Sequence, residues 1–167
     1  MMPKSDQGFD QIRFSVIPRT LIFVTWGDRV LLLQGAPDKK LWANKFNGIG
    51  GHVERGESIF RSAMRELAEE TGIETNNLDF CGTIVVDSGG DKGICIFIFK
   101  TEYEGRKVID SNEGKLHWVT INELETLPLV EDLPVVLPKI LAKARGDSPF
   151  FARSFYTDDG SLRVEFD

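Results

Sequence analysis

The chain has 167 residues, 41% of them hydrophobic and 28% charged, an ordinary globular mixture that excludes a collagen-like, mucin-like or largely disordered protein. Twenty Lys and Arg against 26 Asp and Glu leave a net charge of −6, which disfavours a non-specific grip on a nucleic-acid polymer, since that needs a basic face. A small polyphosphate stays compatible with this balance, because bound divalent cations reverse a local field.

Residues 1–10 read as a polar, flexible N-terminal arm without the apolar core of a signal peptide, and residues 11–167 as a single domain. Strands are expected over Thr20–Thr25 and Val30–Gln34, paired through a turn at Gly27 and Asp28. A Gly-rich passage, Phe46 to Glu57, leads into a helix from Ser58 to Thr71, which Gly72 closes as a left-handed cap. Leu78–Asp87 and Gly93–Tyr103 are two further strands; the unbroken apolar run Ile94 to Phe99 predicts a strand covered on both faces. Leu116–Thr120 is another strand, Asn122–Leu127 a short helical turn, and Val130–Ala144 a second helix entered through Pro134. Phe150–Thr157 and Leu162–Phe166 form a closing hairpin. Strands with two helices interposed make an α/β fold, a mixed sheet between helices. Cys81 and Cys95 read as buried free thiols rather than a disulfide scaffold. The longest apolar runs are too short to cross a bilayer, so the expected setting is cytoplasmic and away from membranes.

The segment from Gly51 to Ile73 carries the chemistry. Glu66, Glu69 and Glu70 stand at i, i+3 and i+4, so their carboxylates share one helical face. Ile59, Phe60, Ala63, Met64 and Leu67 form the adjoining stripe that presses the helix onto a sheet. Neighbouring carboxylates repel by a few tenths of a kcal/mol per pair, and Arg65 offsets only part of that. Such an oxygen-rich cluster suits a hard divalent cation, which takes carboxylates together with substrate phosphates. A solvated Glu-rich face is the ordinary reading of such pairs, but it leaves the flanking glycines, Glu57 and Arg65 unexplained. Seven specified residue types and two apolar positions coincide by chance about once in a million chains or fewer.

At every fixed position this segment resembles the Nudix box, G-x5-E-x7-R-E-U-x-E-E-x-G-U, in which U is aliphatic. The resemblance implies a Nudix-type α/β/α sandwich and a MutT-like hydrolase that uses Mg²⁺ or Mn²⁺ to cleave a phosphoanhydride in a nucleoside diphosphate linked to a further group. It implies metal ligands at Glu66, Glu69, Glu70 and the Gly50 carbonyl, with Glu66 also a candidate base for the attacking water. Arg65 matches the residue that braces a box carboxylate; Gly51, Glu57 and Gly72 match supporting positions. Glu113, five residues before Trp118, is similar to an extra metal-binding carboxylate in the oxidised-purine nucleoside triphosphatase branch, though a turn role in DSNEG weighs equally.

The segments KLWANKFNGIGG, Glu131-Asp132 and FFARSFYTDDG are similar in pattern to the same branch. They imply base-edge contacts from Asn47 and Asp132, with Glu131 beside them, and Trp42 and Phe46 as stacking candidates. The bland readings are core aromatics, a turn Asn and a capping Asp. Leu133 and Val130 depart from that branch's pattern, which leaves the base open. His52 and His117 lack a partner at metal spacing. The expected substrate is a small nucleotide, a triphosphate such as 8-oxo-dGTP being cleaved to monophosphate and pyrophosphate. The alternatives are ADP-ribose, a dinucleoside polyphosphate or another diphosphate conjugate, and, from a different class, an idle nucleotide-sensing module. Both monomer and homodimer fit.

Overall fold

The computed structural model describes Gly8, residues 13–105 and residues 107–167; the expected arm at residues 1–10 lies, Gly8 apart, outside the described residues. The elements follow as β1 (Ser15–Trp26), β2 (Arg29–Gly35), β3 (Phe46–Asn47), α1 (Ile59–Thr71), β4 (Asp79–Asp87), β5 (Lys92–Glu102), β6 (Gly114–Thr120), a 3-10 helix (Ile121–Thr126), α2 (Leu133–Ala142), β7 (Phe150–Tyr156) and β8 (Leu162–Phe166). The strands form one mixed sheet in the order β3-β2-β1-β5-β4-β7-β8, with β6 also paired to β2. β1 runs parallel to β5, and β4 parallel to β7. Among the described residues no helix is long and apolar enough to cross a membrane.

Alternating side chains split the core between the two faces of the sheet. Ile22, Val24, Leu31 and Phe99 pack with Ala63 and Leu67 of α1, whereas Phe23, Leu32, Ile84 and Ile98 pack with Val136, Leu137 and Ile140 of α2. This is the α/β/α sandwich that the order of elements predicts, and period-2 strands between two helical stripes give it no other way to bury both faces.

β1 stays with β2 only from Val24 to Trp26, and β3 pairs with β2 at Leu33 and Gln34. The chain after β3 crosses back to β1 through isolated bridges at Ile22–Ile49 and Arg19–His52. The Gly-rich passage is thereby pinned along β1, facing α1. Ser58 caps α1, its hydroxyl accepting from the Arg61 N–H at 3.3 Å, and Gly72 takes a left-handed conformation (φ 73°) after the last turn.

Two expectations change. The second helix begins at Leu133 rather than Val130, and Lys143 already has extended geometry beyond Ala142. Phe46 instead ties down the segment before the helix on both sides of Leu129: the Phe46 N–H donates to the Pro128 carbonyl and the Val130 N–H to the Phe46 carbonyl, a strand-like tie that helical geometry would break. In β5, Ile94 to Phe97 are only half-buried while Ile98 and Phe99 are buried. The outer half of that strand lines an open cleft instead of lying under a helix.

Candidate active site

The site starts from α1, whose face carrying Glu66, Glu69 and Glu70 meets the pinned glycine passage. Gly51 comes so near that a Cβ there would stand 2.5 Å from Glu66 Oε1, and one on Gly50 (φ 153°) would stand 2.0 Å from the Thr20 carbonyl oxygen. At Gly50, where the obstacle is backbone, only glycine allows the approach; at Gly51 a side chain would displace the Glu66 carboxylate.

Arg65 organises the carboxylates. Its Nε and Nη2 donate to Glu57 at 2.6 and 3.0 Å, and its Nη1 donates to Glu66 Oε1 at 2.8 Å and to Glu69 Oε2 at 3.1 Å. Nη2 also donates to the His52 carbonyl at 3.2 Å, tying the helix to the passage. These charge-assisted bonds hold the Glu57 carboxyl down at about 2 and raise the Arg65 guanidinium further above its ordinary value. Each of Glu66 and Glu69 keeps one oxygen outside the Arg65 bonds.

Glu70 behaves differently. Its carboxylate is buried and accepts the Gly50 N–H at 3.3 Å. Burial pushes it up to about 7; the Gly50 bond pulls the other way, and the charges of Glu66 and Glu113 push upward again. Glu113, in the turn before β6, faces the same cleft and is ion-paired with Lys39.

These residues border one open cleft of about 750 Å³. Glu66, Glu69, Glu70, Gly50, Gly51 and Glu113 stand in it; so do Trp42, Asn47, Glu131 and Asp132, over a floor that includes Leu21, Val86, Ile94 and Ile96. The fold thus gathers the box carboxylates, Glu113 and the residues proposed for the base. Glu57 stands behind Arg65, outside the lining.

Phe46 is the exception. It is buried in the α2-side core, edge-on to His117 at 5.3 Å, because it precedes the cleft-lining Asn47 on a strand and successive strand residues face opposite sides. Stacking on a ligand is therefore excluded for Phe46. Trp42 keeps an exposed ring at the cleft on a backbone of positive φ (59°). Asn47 accepts the Gly48 N–H at 2.8 Å through Oδ1, a turn bond that leaves its amide NH₂ for other partners. Asp132 precedes α2 but makes no side-chain capping bond, and burial raises its carboxyl above the ordinary range. Glu131 accepts the Tyr156 hydroxyl at 3.1 Å and stands 3.9 Å from Lys45.

The sequence reading did not single out Arg19, Tyr156 or the floor residues. Their only signal there is strand alternation, which places Arg19 and Leu21 on one face of β1 and Ile94 and Ile96 on one face of β5.

A hard divalent cation is tested by the donors themselves. Among the described residues no three His, Cys, Asp or Glu side chains are already gathered closely enough to hold a metal ion: Arg65 draws Glu66 and Glu69, and Glu70 turns to Gly50. The donor set is nevertheless all carboxylate and carbonyl oxygen, which suits Mg²⁺ or Mn²⁺, and the buried Glu70 carboxylate accepts only the Gly50 N–H among the described residues. By the chemistry of their donors the residues fit such an ion.

Residues 17–140 match the family model of the NUDIX domain. The chain belongs to the Nudix family. Its members hydrolyse phosphorus-containing anhydrides, and the protein is a Nudix hydrolase of this kind. It is 34% identical over 128 residues to an oxidized purine nucleoside triphosphate hydrolase of Danio rerio, an alignment covering 75% of this chain and 80% of that protein. An uncharacterized Nudix hydrolase of Bacillus subtilis is 37% identical over 107 residues, covering 61% and 65%. The crystal structure of a MutT protein from Bacillus halodurans superposes with a TM-score of 0.75 at 28% identity, covering 91% of this chain and 98% of that one.

Proposed function

We propose that this Nudix hydrolase is a Mg²⁺-dependent pyrophosphohydrolase of nucleoside triphosphates, oxidised purines among them, releasing a monophosphate and pyrophosphate. One observation carries the reading: a single cleft joins the carboxylates of α1 to Asn47 and Asp132 across an apolar floor, so a polyphosphate and its base are accommodated together. The similarity to the Danio rerio enzyme supports the same substrate class.

Glu66, Glu69, Glu70, the Gly50 carbonyl and Glu113 would hold the cation, whose chemistry is to neutralise phosphate oxygens and to lower the pKa of water. Glu66 would orient and deprotonate the attacking water. Arg65 fixes one oxygen of Glu66 and one of Glu69, so each carboxylate presents the other to the cleft, and Glu57 holds Arg65 in that pose. At the far end Asn47 offers its NH₂ as a donor, and Asp132, with its raised carboxyl, offers a donor or an acceptor to a purine edge. A substrate lacking the matching groups would leave these half-buried polar atoms covered and unpaired, and that discrimination is large. Trp42 supplies a ring at the mouth for stacking.

The test is a panel of nucleoside triphosphates, oxidised and unmodified, together with ADP-ribose and dinucleoside polyphosphates, assayed with Mg²⁺ and with a chelator. Turnover of triphosphates that the chelator abolishes is the expected result. Turnover of the conjugates alone moves the assignment to that class, and binding without turnover makes the protein a sensor.

A further inference from the structure

Apart from Arg65, spent on Glu57, Glu66 and Glu69, and Lys39, which is ion-paired with Glu113, the cations bordering this acidic cleft include Arg19 and Lys40. Arg19 pairs with no carboxylate among the described residues. Its Nε donates to His52 Nε2 at 3.1 Å, and the two backbones are bridged at the same point. That bond fixes the guanidinium while its two terminal NH₂ groups make no hydrogen bond among the described residues. A planar fork held by its Nε presents the paired donors that bind a phosphate bidentately.

The position fits that ligand. Arg19 lies opposite Ile96 in the β1–β5 register, on the strand face it shares with the floor residue Leu21. His52 directly follows Gly51, the glycine packed on Glu66. Arg19 therefore borders the cleft between two neighbours, the floor residue Ile96 on β5 and the glycine passage that packs on Glu66, within a lining that a phosphate chain reaching α1 would meet. It is half-buried and the partial loss of water depresses its pKa; a partly desolvated guanidinium with no carboxylate partner among the described residues gains from an anionic ligand. The hydroxyl of the adjacent Thr20, which is buried and borders the same cleft, has no hydrogen-bond partner among the described residues.

We propose that Arg19, oriented by His52, binds a non-bridging oxygen of the substrate's phosphate chain beside the α1 carboxylates. This rests on the nucleotide reading above and names a residue that grips the substrate. His52 is a positioning residue.

The test measures binding of inorganic tripolyphosphate by calorimetry with Mg²⁺ present, in the wild type and in Arg19→Ala, Arg19→Lys and His52→Ala, with thermal melts to confirm folding. Arg19→Ala should weaken tripolyphosphate binding about 10- to 100-fold, the range of a charge-assisted bond, and raise KM for the hydrolysed nucleotide with kcat within about threefold. Arg19→Lys should recover part of the loss, His52→Ala should show a smaller loss, and added guanidinium should partly rescue Arg19→Ala. A folded Arg19→Ala protein with wild-type tripolyphosphate affinity overturns the proposal; should Arg19→Ala not fold, wild-type affinity in a folded Arg19→Gln protein overturns it instead. Arg19-dependent tripolyphosphate binding in a protein that turns over no triphosphate would sink the substrate reading and leave this inference standing.

Discussion

Within α1 adjacent carboxylates have separate environments, and their substitutions should separate accordingly. Glu69 is exposed and, among the described residues, its side chain bonds only to Arg65, so Glu69→Gln should leave folding nearly unchanged while lowering kcat by two orders of magnitude or more, read by steady-state kinetics at saturating Mg²⁺. Wild-type turnover in Glu69→Gln would remove Glu69 from the metal site. Asp132 gives a test by pH. Its folded value is raised by burial, so below the unfolded carboxyl value the folded state holds the proton at no cost. As pH rises from there through the folded value, stability falls. Asp132→Asn should therefore raise the melting temperature at pH 7, with the gain shrinking towards zero near pH 3; a constant gain across that range would mean that Asp132 is not desolvated. Asn47→Ala should change the ranking of bases in the nucleotide panel while leaving the Mg²⁺ requirement intact. At this scale the carboxylate spacing was legible because helical geometry follows from residue number alone. Phe46 was not, since its face depends on a two-residue strand whose partner lies elsewhere in the chain.

Elements show where local signals suffice and where they fail. α1 is bounded by Ser58 and Gly72 as its sequence predicts, because a cap is a contact between residues a few positions apart. Gly72 holds φ at 73° and has Ile109 beside it, 3.1 Å from where a Cβ would stand. Gly72→Ala should cost about 1 kcal/mol from the left-handed backbone, more if Ile109 cannot move. Denaturant titration with an unchanged m-value would measure that loss, and no loss would contradict the cap. The start of α2 was read three residues early. Apolar Val130 continues the helical pattern, yet its N–H is taken by the Phe46 carbonyl, a bond between distant segments that periodicity does not register. The long β5 run looked doubly covered for the same reason: hydrophobic floor and hydrophobic core are alike in sequence, and only the open cleft over Ile94 and Ile96 tells them apart.

For the molecule as a whole, the cost of keeping three carboxylates together in an acidic protein sets stability against function. Glu70 carries most of that conflict, being buried, held by a single Gly50 N–H and close to Glu66 and Glu113. Glu70→Gln retains an oxygen to accept from Gly50 and removes the charge, so the metal-free variant should melt at or above the wild type. Mg²⁺ should have the opposite ranking. A ligand that binds only the folded state stabilises by about 2.7 kcal/mol at a hundredfold excess over its Kd, worth about 5–10 °C in a chain of this length. The wild type should show such a rise and Glu70→Gln little of it, together with turnover lowered by orders of magnitude. Scanning calorimetry of both proteins with chelator and with Mg²⁺ reads both effects at once. Equal Mg²⁺ shifts in the two proteins would place the cation elsewhere, and a metal-free Glu70→Gln that melts well below the wild type would show that the carboxylate serves the fold rather than the cation.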